Sequence, residues 1–535
     1  MMRAVPPTSR DSTQAPVGRY PWYALCVLAL VYMLNFLDRQ ILSILAESIK
    51  ADLEISDAQL GFLYGTAFAV FYAVFGIPLA RLSDVWIRKN VISIGLAVWS
   101  LMTALSGTAR SALSLGAYRV GVGVGESSAT PAAYAMLSDY FPERLRATAL
   151  SLYAGGLYVG QGLGAFIGGS VLDQWDVAFP DGNGWFGLRG WQAAFFIVGL
   201  PGLLLAVWVA TLREPVRGGQ EGMEESSAVD RPWRVLLEEL STVIPPFTIF
   251  TLRAAGASTR LLAANVGTAV CLAIAATLLV LFVGAPEQWI ALAIGVYATV
   301  SWVQGLSLRD PPTYVMLFRS TAIRQTVVGV SGASFLTYSF MFWTAPFLLR
   351  SHDVSATDVG FWILIGNIGG GVLGVTCGGL LSDYLKPRIG GGRAYVILGA
   401  LLLHIPPALL LIYAHSPAVA YASVIAFSVF NTAWVGSATA VVTELVLPRM
   451  RAIATAVLLL MYTFVGLALG PFSVGRISDW LVAGGSDEGD ALGRALLCSM
   501  VSIVVCVVFL TRAMRTIPED EASVLERARA AGEPT

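Results

Sequence analysis

The sequence predicts an all-α membrane protein: two pseudo-symmetric six-helix bundles with a two-helix hairpin inserted between them, fourteen spans in all. Two observations carry that expectation. The 535-residue chain is 56% hydrophobic and 13% charged, with a mean hydropathy of +0.70. The solvent for most of it is therefore lipid, where apolar runs of about 20 residues must be helices. In addition, a small-xxx-Asp ending recurs in two matched pairs. Ala80-Arg81-Leu82-Ser83-Asp84 returns as Gly379-Leu380-Leu381-Ser382-Asp383, and Gly169-Ser170-Val171-Leu172-Asp173 as Gly475-Arg476-Ile477-Ser478-Asp479. The second pair is offset by 306 residues, which also carries Pro142 onto Pro448, Gly160 onto Gly466 and Gly164 onto Gly470. Two apolar halves with one plan point to a transporter that rocks one half against the other around a central site.

The candidate spans are 22–46, 59–80, 91–108, 112–137, 147–171 and 191–211 in the first half, and 325–348, 358–381, 394–413, 418–443, 453–475 and 492–510 in the second. Spans 262–284 and 288–306 are extra and form a hairpin between linkers 212–261 and 307–324. The domains expected are thus a disordered tail (1–21), a first bundle (22–211), linkers with the hairpin (212–324, hairpin 262–306), a second bundle (325–510) and a loose or partly helical tail (511–535). The hairpin carries no charge away from its rim and reads as a lipid-facing accessory. With both termini in the cytoplasm, the inside loops and tails hold 17 Lys and Arg and the outside loops 5. That asymmetry sets the orientation. There is no cleavable signal: the first apolar run is already long enough to span.

Composition excludes other classes. The net charge of −1 and the lack of a basic stripe argue against nucleic acid. Cys26, Cys271, Cys377, Cys498 and Cys506 lie inside apolar runs without CxxC spacing and read as buried spacers. His352, His404 and His415 are too scattered for a metal site, and His404 reads as a hydrogen-bonded core residue. With no nucleophile–base pair, metal cluster or nucleotide loop, neither an enzyme nor a cofactor is expected.

An ionisable group inside a span costs roughly 2.5–3.5 kcal/mol even on gentle insertion scales, so each needs a reason. Away from their rims, where Arg494 lies, the spans contain Asp38, Arg39, Arg119, Glu126 and His404. Asp38 and Arg119 lie at nearly one depth on helices running in opposite directions. Glu126 follows Arg119 by seven residues, on the same face and about 10 Å deeper, near the level of Tyr32 and Asn35. The plain reading is a permanent Asp38–Arg119 ion pair, with Glu126 hydrogen-bonded to Ser127 or Tyr32. The functional reading is proton coupling: a carboxyl whose basic partner changes with conformation takes up a proton in one state and releases it in the other. Gly121, Gly123 and Gly125 let this helix approach a neighbour closely, and Pro131 is placed to kink it. The second half offers an apolar, aromatic wall with Tyr338, Trp343, Asn431 and Trp434, suited to an amphipathic molecule with one polar head.

Asp84 followed by Arg88-Lys89 after the second span resembles the signature loop of the major facilitator superfamily. Tyr32-Met33-Leu34-Asn35-Phe36-Leu37-Asp38-Arg39, Pro78 to Asp84, Arg119 to Ser127 and Ser138 to Arg144 are together similar to its Spinster branch of lysolipid and sphingolipid transporters. The resemblance implies the major facilitator fold, with proton coupling and head-group binding at Asp38, Arg39, Arg119 and Glu126. It implies a cytoplasmic gate in which Asp84 caps a helix of the opposite half and Arg88 pairs with Asp139, latching the outward-open state. Asp383 is placed to do the mirrored job with Arg451 and Glu444. The function expected is a monomeric, proton-coupled secondary transporter of the cell membrane. Its cargo is a lysolipid, sphingoid lipid or similar amphiphile, moved by alternating access. A drug or organic-anion carrier of the same fold and a non-transporting membrane sensor are the alternatives.

Overall fold

The structure, a computed structural model, describes residues 18–180, 184–218 and 231–533. Most of the expected disordered tail (1–17) and part of the first linker (219–230) lie outside the described residues. The first half consists of α1 (Arg19–Ile44), α2 (Asp57–Val85), α3 (Arg88–Ser106), α4 (Ala112–Glu126), α5 (Ala129–Tyr140), α6 (Glu143–Ala178) and α7 (Gly190–Ala210). Between the halves run α8 (Pro232–Val243), α9 (Phe247–Ala254) and the hairpin α10 (Thr259–Val283) and α11 (Pro286–Arg309). The second half consists of α12 (Thr321–Ser351), α13 (Ala356–Leu385), α14 (Gly392–Ile412), α15 (Pro417–Glu444), α16 (Pro448–Ala483) and α17 (Glu488–Ala522).

Among the described residues, 12 helices are long and apolar enough to cross a membrane, or 13 if the bent pair α8–α9 is one span, so the count of fourteen is not confirmed. Two expected spans fall out for different reasons. The span at 112–137 breaks at Ser127–Ser128 between α4 and α5. Pro131 has no N–H to give the Ser127 carbonyl, which removes one helical bond just past the break. The span at 147–171 lies within α6, a continuous 36-residue helix with many glycines. Those glycines let α6 lie against α1: a Cβ on Gly156 would stand 2.9 Å from the Ala29 carbonyl oxygen, and one on Gly164 would stand 2.6 Å from that of Leu37. Dispersion and close backbone approach, more than apolar burial, hold such helices together in lipid.

The tail after 510 takes the helical one of the two forms expected for it: α17 continues to Ala522, a helix follows at Val524–Ala530, and Arg527 donates to the Leu445 carbonyl oxygen at 2.9 Å. The expectation of buried cysteines is corrected. Four of the five cysteines (Cys26, Cys271, Cys377 and Cys498) are exposed on the lateral surface, and Cys506 alone is buried. In lipid an apolar side chain has no reason to hide.

The halves meet along two seams, α2 against α16 and α6 against α13. The offset of 299 that carries Asp84 onto Asp383 and the offset of 306 map one seam onto the other. A Cβ on Gly61 would stand 2.5 Å from the Pro471 carbonyl, and one on the matching Gly360 would stand 2.4 Å from that of Ala165. At the end away from the termini the halves are bonded together. The Asp479 carboxylate accepts the Asp57 and Ala58 N–H groups at 2.9 Å each, capping α2. Its repeat Asp173 accepts the Ala356 and Thr357 N–H groups at 3.3 and 2.7 Å, capping α13. Arg350 spans the same end, bidentate to Asp57 (2.7 Å twice) with Glu47 at 2.8 Å. At the terminal end, leaving aside Arg144, Arg146 and Arg529, which have partners of their own, no hydrogen bond or ion pair joins the two bundles among the described residues. In these bonds the molecule is closed at one end and parted at the other.

Candidate functional site

Gln40 donates to the Met341 carbonyl oxygen at 3.2 Å, and Ser43 to that of Phe342, plugging the space between α1 and α12. Arg39 lies just below this plug, on the parted side. Its Nε donates to Glu126 at 2.7 Å; Glu126 is fully buried while Arg39 keeps 12% of its side chain exposed. The Arg39 guanidinium lies 4.5 Å from the Phe68 ring, 4.7 Å from Phe36 and 4.9 Å from Tyr72. Three ring faces around one cation hold it without neutralising it.

The pairing differs from the expectation. Asp38 and Arg119 do stand at one depth, but Arg119 donates to the backbone oxygen of Asp38 at 3.4 Å and not to its carboxylate. The Asp38 carboxylate accepts instead from Thr103 at 3.1 Å. Its other oxygen, the Arg119 Nε and Nη2 and one Glu126 oxygen have no hydrogen-bond partner among the described residues. Arg39, adjacent to Asp38 on α1, is the base that reaches Glu126. Helical periodicity favours Arg119 there because it registers Cα depth and not the reach of a long side chain from the next level. Nor is Glu126 held by Ser127 or Tyr32: Ser127 donates to the Val124 carbonyl, and Tyr32 stacks on Tyr153 with centroids 4.4 Å apart. The small residues of α4 make this proximity possible: a Cβ on Gly123 would stand 2.5 Å from the Phe68 carbonyl oxygen.

The wall residues divide. Asn35 is buried beside the cluster, within reach of Glu126. From the second half, Tyr338 is half-buried and close enough to Arg39 to interact electrostatically. Asn431 accepts a hydrogen bond from Thr337 at 2.8 Å. Trp343 and Trp434 do not line an opening. Trp343 is fully buried with its indole on the Pro471 carbonyl at 2.8 Å, and Trp434 packs edge-on against Tyr462. His404 is buried between Phe340 and Phe427 with neither ring nitrogen hydrogen-bonded, so it is packed and not bonded.

At the terminal end Asp84 is 61% exposed; its carboxylate pairs with Arg81 at 3.6 Å, and Arg217 bonds its backbone oxygen. It caps no helix of the opposite half. Arg88 does pair with Asp139, and also binds Glu214 at 2.8 Å and the Pro215 carbonyl at 3.0 Å. All of these contacts lie within the first half and the linker that follows it. Asp383 pairs with Arg393 at 3.0 Å, with Glu444 on the same guanidinium at 2.9 Å; Arg393 and not Arg451 is its base. Sequence reasoning missed Arg350, Arg393, Glu214, Thr103 and the Phe68–Tyr72 rings. For Arg350 a signal existed: it is the one Lys or Arg among the outer residues 349–357.

This geometry defines a class: two helical bundles closed over a buried acid–base cluster are a multi-pass membrane transporter. The Major Facilitator Superfamily description matches residues 28–471, and the chain belongs to that family. Within it the likeness is to the Spinster-like branch. It is 26% identical over 225 residues to Protein spinster of Drosophila melanogaster, covering 42% of this chain and 35% of that one. It is 28% identical over 482 residues to an MFS-type efflux pump of Mycolicibacterium smegmatis, covering 90% and 89% of the two chains. Its fold matches the crystal structure of a bacterial homologue of the human lysosomal transporter Spinster, in an inward-facing and unoccupied conformation. That match has a TM-score of 0.67 and 25% identity, covering 95% of this chain and 98% of that one.

Proposed function

We propose that this protein is a proton-coupled secondary transporter that moves a lysolipid, sphingoid lipid or similar amphiphile by alternating access, as a monomer with both termini in the cytoplasm. The excess of Lys and Arg in the terminal-end loops supports that orientation. On this reading the parted end faces the cytoplasm and the arrangement is inward-facing. One observation carries the proposal: a buried Arg39–Glu126 pair lies directly below the plug, next to an Asp38 carboxyl with an unpartnered oxygen and an Arg119 with unpartnered donors. A group of two acids and two bases can redistribute its hydrogen bonds when α1 and α12 part, and a carboxyl that loses its base in low dielectric binds a proton. Arg39, ringed by aromatics and partly exposed, is the site for an anionic head group, with apolar walls for the chain.

The similarity to an efflux pump along nearly the whole chain supports a second reading, a drug or organic-anion carrier using the same cluster. Proteoliposomes with an imposed pH gradient separate the two. Uptake of labelled lysophospholipid, competed by a sphingoid-base phosphate but not by a sugar acid, is the expected result. Gradient-driven uptake of a water-soluble organic anion in its place overturns the amphiphile reading.

A further inference from the structure

The inserted hairpin is not a bystander in the lipid. Its first helix, α10, is bare, but α11 runs along the α2–α16 seam and touches both halves. The Thr66 hydroxyl of α2 lies 2.6 Å from the Gln288 side-chain oxygen of α11 and 2.8 Å from the Ala468 carbonyl oxygen of α16, its one proton shared between them; the Gln288 amide also donates to that carbonyl at 3.3 Å. Ala468 lies in a π-helical stretch, Tyr462–Leu469, a local departure from α-geometry of the kind that is frequent at functional sites. Nearer the terminal end, Gly295 sits in the groove itself: a Cβ there would stand 2.6 Å from Phe464 and 3.0 Å from Val70. Leu292, Val296 and Trp302 of α11 pack on Val70, Ala73, Leu460 and Phe464. Beyond them Trp233 of α8 packs on Trp86 at 5.0 Å, extending the cover to the end of α2.

The offsets that superpose the seams give the control. Ala73 corresponds to Val372 and Val74 to Leu373. Ala73 is 7% exposed under the hairpin, whereas Val372 and Leu373 are 50% and 57% exposed. The α6–α13 seam is tight down to Tyr158 against Gly371. Below that crossing, a Cβ on Gly155 or Gly379 would meet nothing within 4 Å. One seam is roofed and its twin is bare.

We propose that the hairpin seals the α2–α16 seam, so that an amphiphile passes between the central site and the bilayer only through the α6–α13 seam. The route rests on the amphiphile-transporter reading; the seal does not. In the full chain with its five cysteines replaced, single cysteines at Val74→Cys and Leu373→Cys are treated with an alkyl maleimide dissolved in the membrane. Leu373→Cys should react faster by about tenfold or more, because reaction at Val74→Cys must await a local opening. Gly295→Leu, which wedges α11 off the groove, should raise the Val74→Cys rate; it spares the chain the risk of deleting the hairpin outright. Modification of Leu373→Cys should abolish lysophospholipid transport, while modification of Leu281→Cys, on the bare face of α10, should leave it intact. Equal rates at the two seam positions, unchanged by Gly295→Leu, overturn the seal. Full transport after modification of Leu373→Cys overturns the route. If unmodified protein moves no amphiphile, the substrate reading fails and takes the route with it, while the rates still decide the seal.

Discussion

At the closed end Asp173 and Asp479 reach across to helix N-termini of the opposite half, whereas at the parted end Asp84 and Asp383 stay within their own halves, against Arg81 and Arg393. All four acids end the same small-xxx-Asp pattern. What differs is whether a helix start is presented to them. A carboxylate at a helix N-terminus satisfies orphan N–H groups and meets the positive end of the dipole. On the alternating-access reading, the two ends compete for rigid bundles that cannot close on both at once. The caps made at one end then set the free energy against which the caps at the other must work.

The largest effect is expected from Arg350→Ala. Asp57 is 1% exposed and keeps only Lys50, at 3.0 Å, as a base once Arg350 is gone. Breaking a buried pair from one side costs about 3–5 kcal/mol, enough to move most molecules out of the closed-end arrangement. Spin labels at Ala51→Cys and Asp490→Cys should show the distance across that end lengthen; an unchanged distance means that Arg350 is not what holds it. Smaller and equal effects are expected from Asp173→Asn and Asp479→Asn. Each removes a negative charge from a helix N-terminus, an interaction worth about 0.3–1 kcal/mol and up to about 2 in a partly buried geometry. Since the two sit on different seams, the double variant should add the losses to within about 0.5 kcal/mol. A silent Asp173→Asn beside a strong Asp479→Asn would break the pseudo-symmetry.

The smallest shift is expected from Asp84→Asn. In the arrangement seen here Asp84 is exposed, so the change acts on the other state, where a cap is worth about 0.3–1 kcal/mol. The population should move a few-fold towards the parted terminal end, read as greater cysteine reactivity below Arg39. Unchanged reactivity reduces Asp84 to an orientation signal.

The repeated acids are legible in the amino-acid sequence because pseudo-symmetry writes itself into residue offsets: Gly169 and Gly475, Asp173 and Asp479 fall on matching seams. The presence of charge on α1 and α4 is legible for an energetic reason, since lipid penalises every ion. Which base meets which acid is not. Arg39 and Arg119 differ in where a long flexible side chain ends, and aromatic faces from α2 decide that by ringing Arg39. The packing of the hairpin is hidden too, because an uncharged helix looks the same whether it faces lipid or a seam. The signals that it packs, Gln288 and Gly295 on α11, acquire meaning only once Thr66, Ala468 and Phe464 are beside them.

The central claim is that the Arg39–Glu126 pair carries the coupled proton. Glu126→Gln fixes the uncharged form at nearly constant volume and leaves an oxygen for Arg39 to bond. Reconstituted into proteoliposomes, it should lose uptake driven by a pH gradient yet keep binding and exchange of labelled amphiphile, whereas Arg39→Ala should lose both. Uptake by Glu126→Gln with the wild-type dependence on pH would contradict the claim and move the proton to Asp38.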